Sequence, residues 1–150
     1  MYYILFNPLS KSGKNQKTIR KLENLLTDKN EPFVSHNLIE IQDIPTFIKQ
    51  LNPEDKVVFV GGDGTIHYVA NYLNKRDFEQ RIFAYGAGTG NDFFRNIGMN
   101  GGMPQINEHI QNLPTVTHHG GDEVFVNGCG LGVDAEVCRR VEKSRSDSSL

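Results

Sequence analysis

The stretch from Lys56 to Leu73 constrains the fold more than any other part of the chain. Val57, Val58, Phe59 and Val60 form an apolar, mostly β-branched run, the pattern of a strand covered on both faces. The run ends at Gly61-Gly62-Asp63-Gly64, where the backbone can take conformations closed to other residues. Thr65 then opens a segment with Ile66, Val69, Ala70 and Leu73 at the helical spacing i, i+3, i+4, i+7. Strand, glycine turn and helix in this order bring free backbone N–H groups and a positive helix end to one point. That is an anion site, most often for phosphate. A carboxylate at Asp63 would repel phosphate unless a divalent cation stood between them, as in nucleotide-triphosphate sites. The plainer alternative is a tight turn in which Asp63 caps the helix that follows.

The same grammar repeats along the chain. Tyr2 to Phe6 reads as a strand entering a loop, Asn7-Pro8-Leu9-Ser10-Lys11-Ser12-Gly13-Lys14. The next helix has Ile19, Leu22, Leu25 and Leu26 on one face and Lys17, Arg20, Lys21 and Glu23 on the other. The loop is not a Walker A sequence, since Asn15 follows Gly13-Lys14, and a solvated connection competes with a role in touching phosphate or ribose. Residues 33–41 read as a strand interrupted by His36 and Asn37. Ile44, Phe47, Ile48 and Leu51 then mark a helix ended by Asn52-Pro53. Ile82 to Tyr85 is a fourth strand after a polar connection. Strands alternating with amphipathic helices imply an α/β fold with a parallel sheet, right-handed crossovers and ligands beyond the C-terminal strand ends.

The fourth strand enters a second glycine loop, Gly86-Ala-Gly-Thr-Gly-Asn-Asp92, before a short helix over residues 93–97 closed by Gly98. Thr89 and Asn91 offer hydrogen bonds without bulk. Asp92 stands as Asp63 does, so the two strand-end carboxylates suit one hydrated Mg²⁺. Asp92 as a plain helix cap is the competing reading, and Arg95 is a partner for Asp92 or for phosphate. Ile106, Ile110 and Leu113 mark a further helix, ended by Pro114. Residues 115–118 and 123–127 then read as a hairpin joined by His119-Gly120-Gly121-Asp122. Adjacent histidines on a strand point to opposite faces, which argues against a metal at His118-His119. Gly130-Leu-Gly-Val-Asp-Ala135 matches a dinucleotide pattern and is set aside, because the acidic ribose partner expected about twenty residues on would fall beyond Leu150. Residues 143–150, charged and serine-rich, read as disordered.

Composition adds boundaries. The 150 residues suit a domain with a real core, and 37% hydrophobic with 23% charged is a globular balance. A net charge of −2 gives no electrostatic case for nucleic acid. No signal peptide or membrane span is evident, and Cys129 and Cys138 read as reduced thiols, so a cytoplasmic setting is expected.

Four motifs in order carry a resemblance: Asn7-Pro8-x-Ser10 with Gly13, Gly61-Gly-Asp-Gly-Thr65, Gly88-Thr-Gly-Asn-Asp-Phe93 with Arg95, and Asn127-Gly-Cys-Gly-Leu-Gly-Val-Asp-Ala135. Together they resemble the catalytic domain of diacylglycerol kinases, a family that includes bacterial lipid kinases and is related to sphingosine kinases. The resemblance implies a three-layer nucleotide-binding fold like that of NAD kinases and phosphofructokinases over residues 1–114, with residues 115–150 beginning a β-rich lipid-binding domain. It implies transfer of the γ-phosphate of ATP, with Mg²⁺, to the hydroxyl of diacylglycerol or a similar lipid. Asn7, Pro8 and Ser10 would form the first nucleotide loop. Gly62, Asp63, Gly64 and Thr65 would hold the triphosphate, Thr89 the nucleotide, and Asp63 and Asp92 the metal, through water. A lipid acceptor and peripheral contact with the inner face of a membrane follow from the same source, and a homo-oligomer is compatible with it.

Two departures stand out. Where family members commonly carry a metal-supporting aspartate, this chain has Thr117-His118-His119-Gly120, and Asp122 is the nearest acid. The general base of the family would fall beyond Leu150, so the chain reads as truncated before most of the second domain. The hairpin strands are then expected to lack partners and to leave apolar edges exposed. A non-catalytic nucleotide-binding fragment and an NAD kinase are the two alternative readings.

Overall fold

The computed structural model describes residues 1–8, 15–86, 91–99, 101–130 and 132–147, without the side chains at 134, 142 and 144–147. The chain runs β1 (Tyr2–Phe6), α1 (Gln16–Asp28), β2 (Phe33–Asn37), α2 (Ile44–Lys49), β3 (Lys56–Gly61), α3 (Asp63–Leu73) and β4 (Arg81–Gly86). It continues through α4 (Asp92–Asn96), β5 (Thr115–His118), β6 (Gly121–Val124) and α5 (Val133–Asp147).

Strand β3 is buried on both faces because successive side chains feed different cores. Val57 and Phe59 join Leu5, Ile48, Ile66, Val69 and Ile82 on one side. Val58 and Val60 join Ile4, Ile19, Leu22 and Leu26 on the other. All four are fully buried, and each contributes roughly 1.5–3 kcal/mol through that burial. The first four strands form one parallel sheet in the order β2-β1-β3-β4. Helix α1 covers one face, while α2, α3 and α4 pack on the other. The α/β, three-layer, parallel-sheet expectation is met.

The order reverses direction at β1: β2 lies to one side of it and β3 to the other. The helices that follow β1 and β3, α1 and α3, therefore lie on opposite faces of the sheet, and the switch point falls beyond Phe6 and its register partner Val60. At the opposite end Asp55 takes hydrogen bonds from the Met1 amino group at 2.9 Å and the Asn52 N–H at 3.1 Å.

Four boundaries differ from the sequence reading. Residues 33–41 are not one strand, because the Asn37 side chain accepts the Ile39 N–H and turns residues 38–40 into a 3-10 turn. The helix expected around Ile106 and Ile110 is only a 3-10 turn at Asn107–His109. Both isoleucines are buried, but the segment before them runs antiparallel along the edge of β4, through Ala84 N–H to Pro104 O and Ile106 N–H to Ile82 O. Asn107 completes that edge with its side-chain amide, accepting the Ile82 N–H at 2.8 Å. The second hairpin strand is Gly121–Val124 rather than 123–127, since Gly121 takes φ +117 and starts pairing at once. Residues 143–147, expected to be disordered, continue α5, while 148–150 lie outside the described residues, and Glu136 supports this helix through Arg139 and Arg140.

The hairpin strands pair with each other, and their outward residues are mostly polar. Among the described residues no further strand joins the hairpin, and Val124 turns inward, 6% exposed, against α3.

Candidate functional site

Gly62 stands at the N-cap of α3, and among the described residues no side chain caps that end. The Gly62 carbonyl accepts the N–H groups of Thr65 and Ile66 at 2.9 and 3.1 Å, which starts the helix. The Asp63 and Gly64 amides before them have no carbonyl to meet within the helix. Gly64 is exposed, and a Cβ built there would meet nothing within 4 Å. An uncapped, open helix start of this kind suits a phosphate. Gly64→Ala is expected to fold with an unchanged unfolding midpoint while weakening triphosphate binding about tenfold, read by calorimetry with an ATP analogue. Unchanged binding would remove Gly64 from the site.

Asp63 does not cap its own helix. Its Oδ1 accepts the Phe93 N–H at 2.9 Å and its Oδ2 the Asp92 N–H at 3.1 Å. The carboxylate of one glycine turn thus caps the helix of the other, and the loops after β3 and β4 are tied at this point. Asp92 is not an N-cap either. It is the first residue of α4, after Asn91 with φ 66, and its carboxylate takes Arg95 at 2.8 Å. Both partners are well exposed, so the pair adds little stability.

The remaining predicted residues divide by position. Asn7 and Pro8 leave β1 at the switch point, where the Asn7 carbonyl accepts from the buried side chain of Asn15. Thr65 is 4% exposed and packs beneath the turn against Gly61 rather than on its surface. Ser10 and Thr89 lie outside the described residues. Asp122 is used within the hairpin, accepting the Thr117 hydroxyl at 2.6 Å.

For a divalent cation the donor set is two carboxylates, Asp63 and Asp92. Among the described residues no group of three His, Cys, Asp or Glu side chains could hold a metal by itself. Two carboxylates match the usual protein share of a magnesium site, whose other positions are water and phosphate. The residues fit a cation that arrives with a nucleotide.

Sequence reasoning missed four features. Asn15 ties the loop after β1 back to its strand. A cleft of about 400 Å³ lies beside β4, lined by Lys21, Tyr85, Asn91, Phe94 and Arg95. The buried Asn91 Oδ1 has no hydrogen-bond partner among the described residues. Along α3 the polar residues Asp63, His67 and Asn71 recur every fourth position, a pattern visible in the sequence.

His67 reaches Glu123 on β6 at 2.9 Å, and His118 lies 3.5 Å from the other oxygen. The hydrogen bond from His67 holds the Glu123 carboxyl below its ordinary 4.5 and outweighs partial desolvation, with His118 adding to the effect. A carboxyl with a lowered folded pKa contributes stability that is complete above its unfolded value and is lost as pH falls through the folded one. NMR titration of Glu123 is expected to give a value below 4.5 that returns towards 4.5 in His67→Ala. The same value in both proteins would show the contact to be unformed in solution.

Comparison with known proteins gives a consistent result. The sequence model of the diacylglycerol kinase catalytic domain matches residues 1–121. A Klebsiella pneumoniae (strain 342) protein provisionally named a YegS-like lipid kinase is 35% identical over 94 residues, covering 61% of this chain and 31% of that protein. A Staphylococcus haemolyticus (strain JCSC1435) protein provisionally named lipid kinase SH2167 is 29% identical over 99 residues, covering 62% and 31%. The chain thus spans less than a third of the length of either relative.

Proposed function

Because the chain belongs to the diacylglycerol kinase catalytic domain family, we propose that it carries the nucleotide side of an ATP-dependent lipid kinase. The observation that carries the reading is the uncapped start of α3, with Gly64 open above it and Asp63 anchored to α4 beside Asp92. The phosphates of ATP lie on the α3 amides, and Asn7 and Pro8 border the nucleotide from β1. Asp63 and Asp92 are the carboxylates that would hold the cation, through water. When bound, Mg²⁺ neutralises the charge of the transferring phosphoryl group. In the transfer, the lipid hydroxyl oxygen forms the new bond to the γ-phosphorus as the bond to the bridging oxygen breaks. ADP leaves, and the hydroxyl proton passes to a base. The protein's share is positioning and charge stabilisation.

The acceptor is diacylglycerol or a lipid alcohol like it, met at a membrane surface by peripheral contact. Among the described residues no helix is long and apolar enough to cross a membrane. Residues 1–114 form the nucleotide unit and residues 115–150 lead into the acceptor side. The test supplies radiolabelled ATP, Mg²⁺ and vesicles containing diacylglycerol. Label in the lipid fraction supports the reading. Tight nucleotide binding with no transfer would leave a nucleotide-binding module, and label in NADP with NAD as acceptor would make the protein an NAD kinase.

A further inference from the structure

Asn71 stands two helical turns after Asp63 on the same side of α3 and grips the hairpin by its backbone. Its Oδ1 accepts the Val124 N–H at 2.9 Å, and its Nδ2 donates to the Val124 carbonyl at 3.1 Å. Val124 lies opposite Thr115, yet both of its backbone groups turn to α3. One side-chain amide thus supplies the acceptor and the donor that an adjoining strand would supply. Val124 is 6% exposed, so loss of that amide would strand two polar groups away from water. A third bond, from Nδ2 to the His67 carbonyl at 3.0 Å, holds the side chain against its own helix. Aspartate has no donor to offer the carbonyl, and leucine has neither group.

Beyond Val124 the chain turns towards the nucleotide loops. Val126 packs against the core that includes Phe93 and Phe94, and the Asn96 side chain donates to Asn127 Oδ1 at 3.2 Å. Helix α4 is the one whose first amides Asp63 holds. We propose that Asn71 is a positioning residue for phosphoryl transfer, locking the hairpin at one height along α3 and so fixing how the chain after β6 approaches the glycine turns. The step from Asp63 to Asn71 is about 12 Å of rigid helix. The catalytic part of this assignment rests on the kinase reading above.

The test compares Asn71→Leu and Asn71→Asp with the unsubstituted protein by hydrogen exchange, nucleotide binding and steady-state kinetics. In Asn71→Leu the Val124 amide is expected to exchange about 10- to 100-fold faster, with protection across Val57–Val60 unchanged. Asn71→Asp, which keeps the acceptor, is expected to fall between the two. In both variants kcat falls, by about tenfold in the leucine variant, while KM for ATP stays the same. Unchanged exchange at Val124 would overturn the clamp. Loss of protection across β3 as well would make Asn71 a general stabiliser, and a raised KM for ATP at constant kcat would move it to nucleotide binding; either overturns the proposal. An unsubstituted protein that binds ATP but transfers no phosphate overturns the catalytic part of the proposal and leaves a nucleotide-binding module, while exchange at Val124 still decides the clamp.

Discussion

Asp63→Ala is expected to lose magnesium-dependent nucleotide binding and to loosen α4 together. The carboxylate makes two bonds at once, to Phe93 N–H at 2.9 Å and Asp92 N–H at 3.1 Å, across two loops far apart in sequence. Bonds from amides to a charged acceptor are among the stronger ones, and the site is half-buried, so their loss costs about 2 kcal/mol. In a chain of this length that lowers the unfolding midpoint by roughly 4–8 °C. Asp63→Asn separates the two roles, because an amide oxygen still accepts one N–H while the charge is gone. The asparagine variant should recover part of the midpoint and none of the magnesium dependence. Calorimetry with an ATP analogue, with and without Mg²⁺, reads the second effect. Full magnesium dependence in either variant would remove Asp63 from the metal site.

The largest effect on folding is expected from Gly61→Ala. A Cβ at this position would sit 2.2 Å from Thr65 Oγ1, 2.3 Å from its Cβ and 2.7 Å from its Cγ2. Thr65 is buried in the first turn of α3, so it cannot swing aside. Either the first turn of the helix moves or the end of β3 does, at a cost of about 3 kcal/mol. Urea unfolding should show the midpoint falling with little change in slope. Thr65→Gly in the same chain removes the opposing atoms and should recover part of the loss. A midpoint like that of the unsubstituted protein would mean that the turn relaxes freely. Gly61 and Gly64 thus differ in kind, one required by close packing and the other by the space above it.

Much of this was legible in the chain itself. The run at 57–60 announces a strand with two covered faces, and the helical spacing after Thr65 marks the body of α3, which begins two residues earlier at Asp63. The two glycine turns and their carboxylates could be paired on paper because both follow parallel strands. How Asp63 is used could not be read. Its partners are backbone amides thirty positions away, and backbone amides are the same in every residue. The stretch around Ile106 misled for a related reason. Two buried isoleucines four apart look helical, yet Pro104 and Asn107 pin that stretch to β4 by bonds that leave no mark in a hydrophobic pattern. Nothing in the sequence marks a partner for Asn71, since an asparagine on a helix flank ordinarily meets only water. Its value here comes from Val124, the strand residue whose backbone it meets.

The alternation of β3 between two cores has a consequence for how such chains can change length over time. Val57 and Phe59 serve one face and Val58 and Val60 the other, with register partners on both sides, in β1 and β4. Adding or deleting a single residue between Lys56 and Gly61 would exchange the two faces and swing the glycine turn to the wrong side of the sheet. The strand works as a ruler that natural variation cannot recut one notch at a time. Length variation among relatives should therefore collect in the polar connection at residues 74–80 and in the turn between β5 and β6, and spare β3.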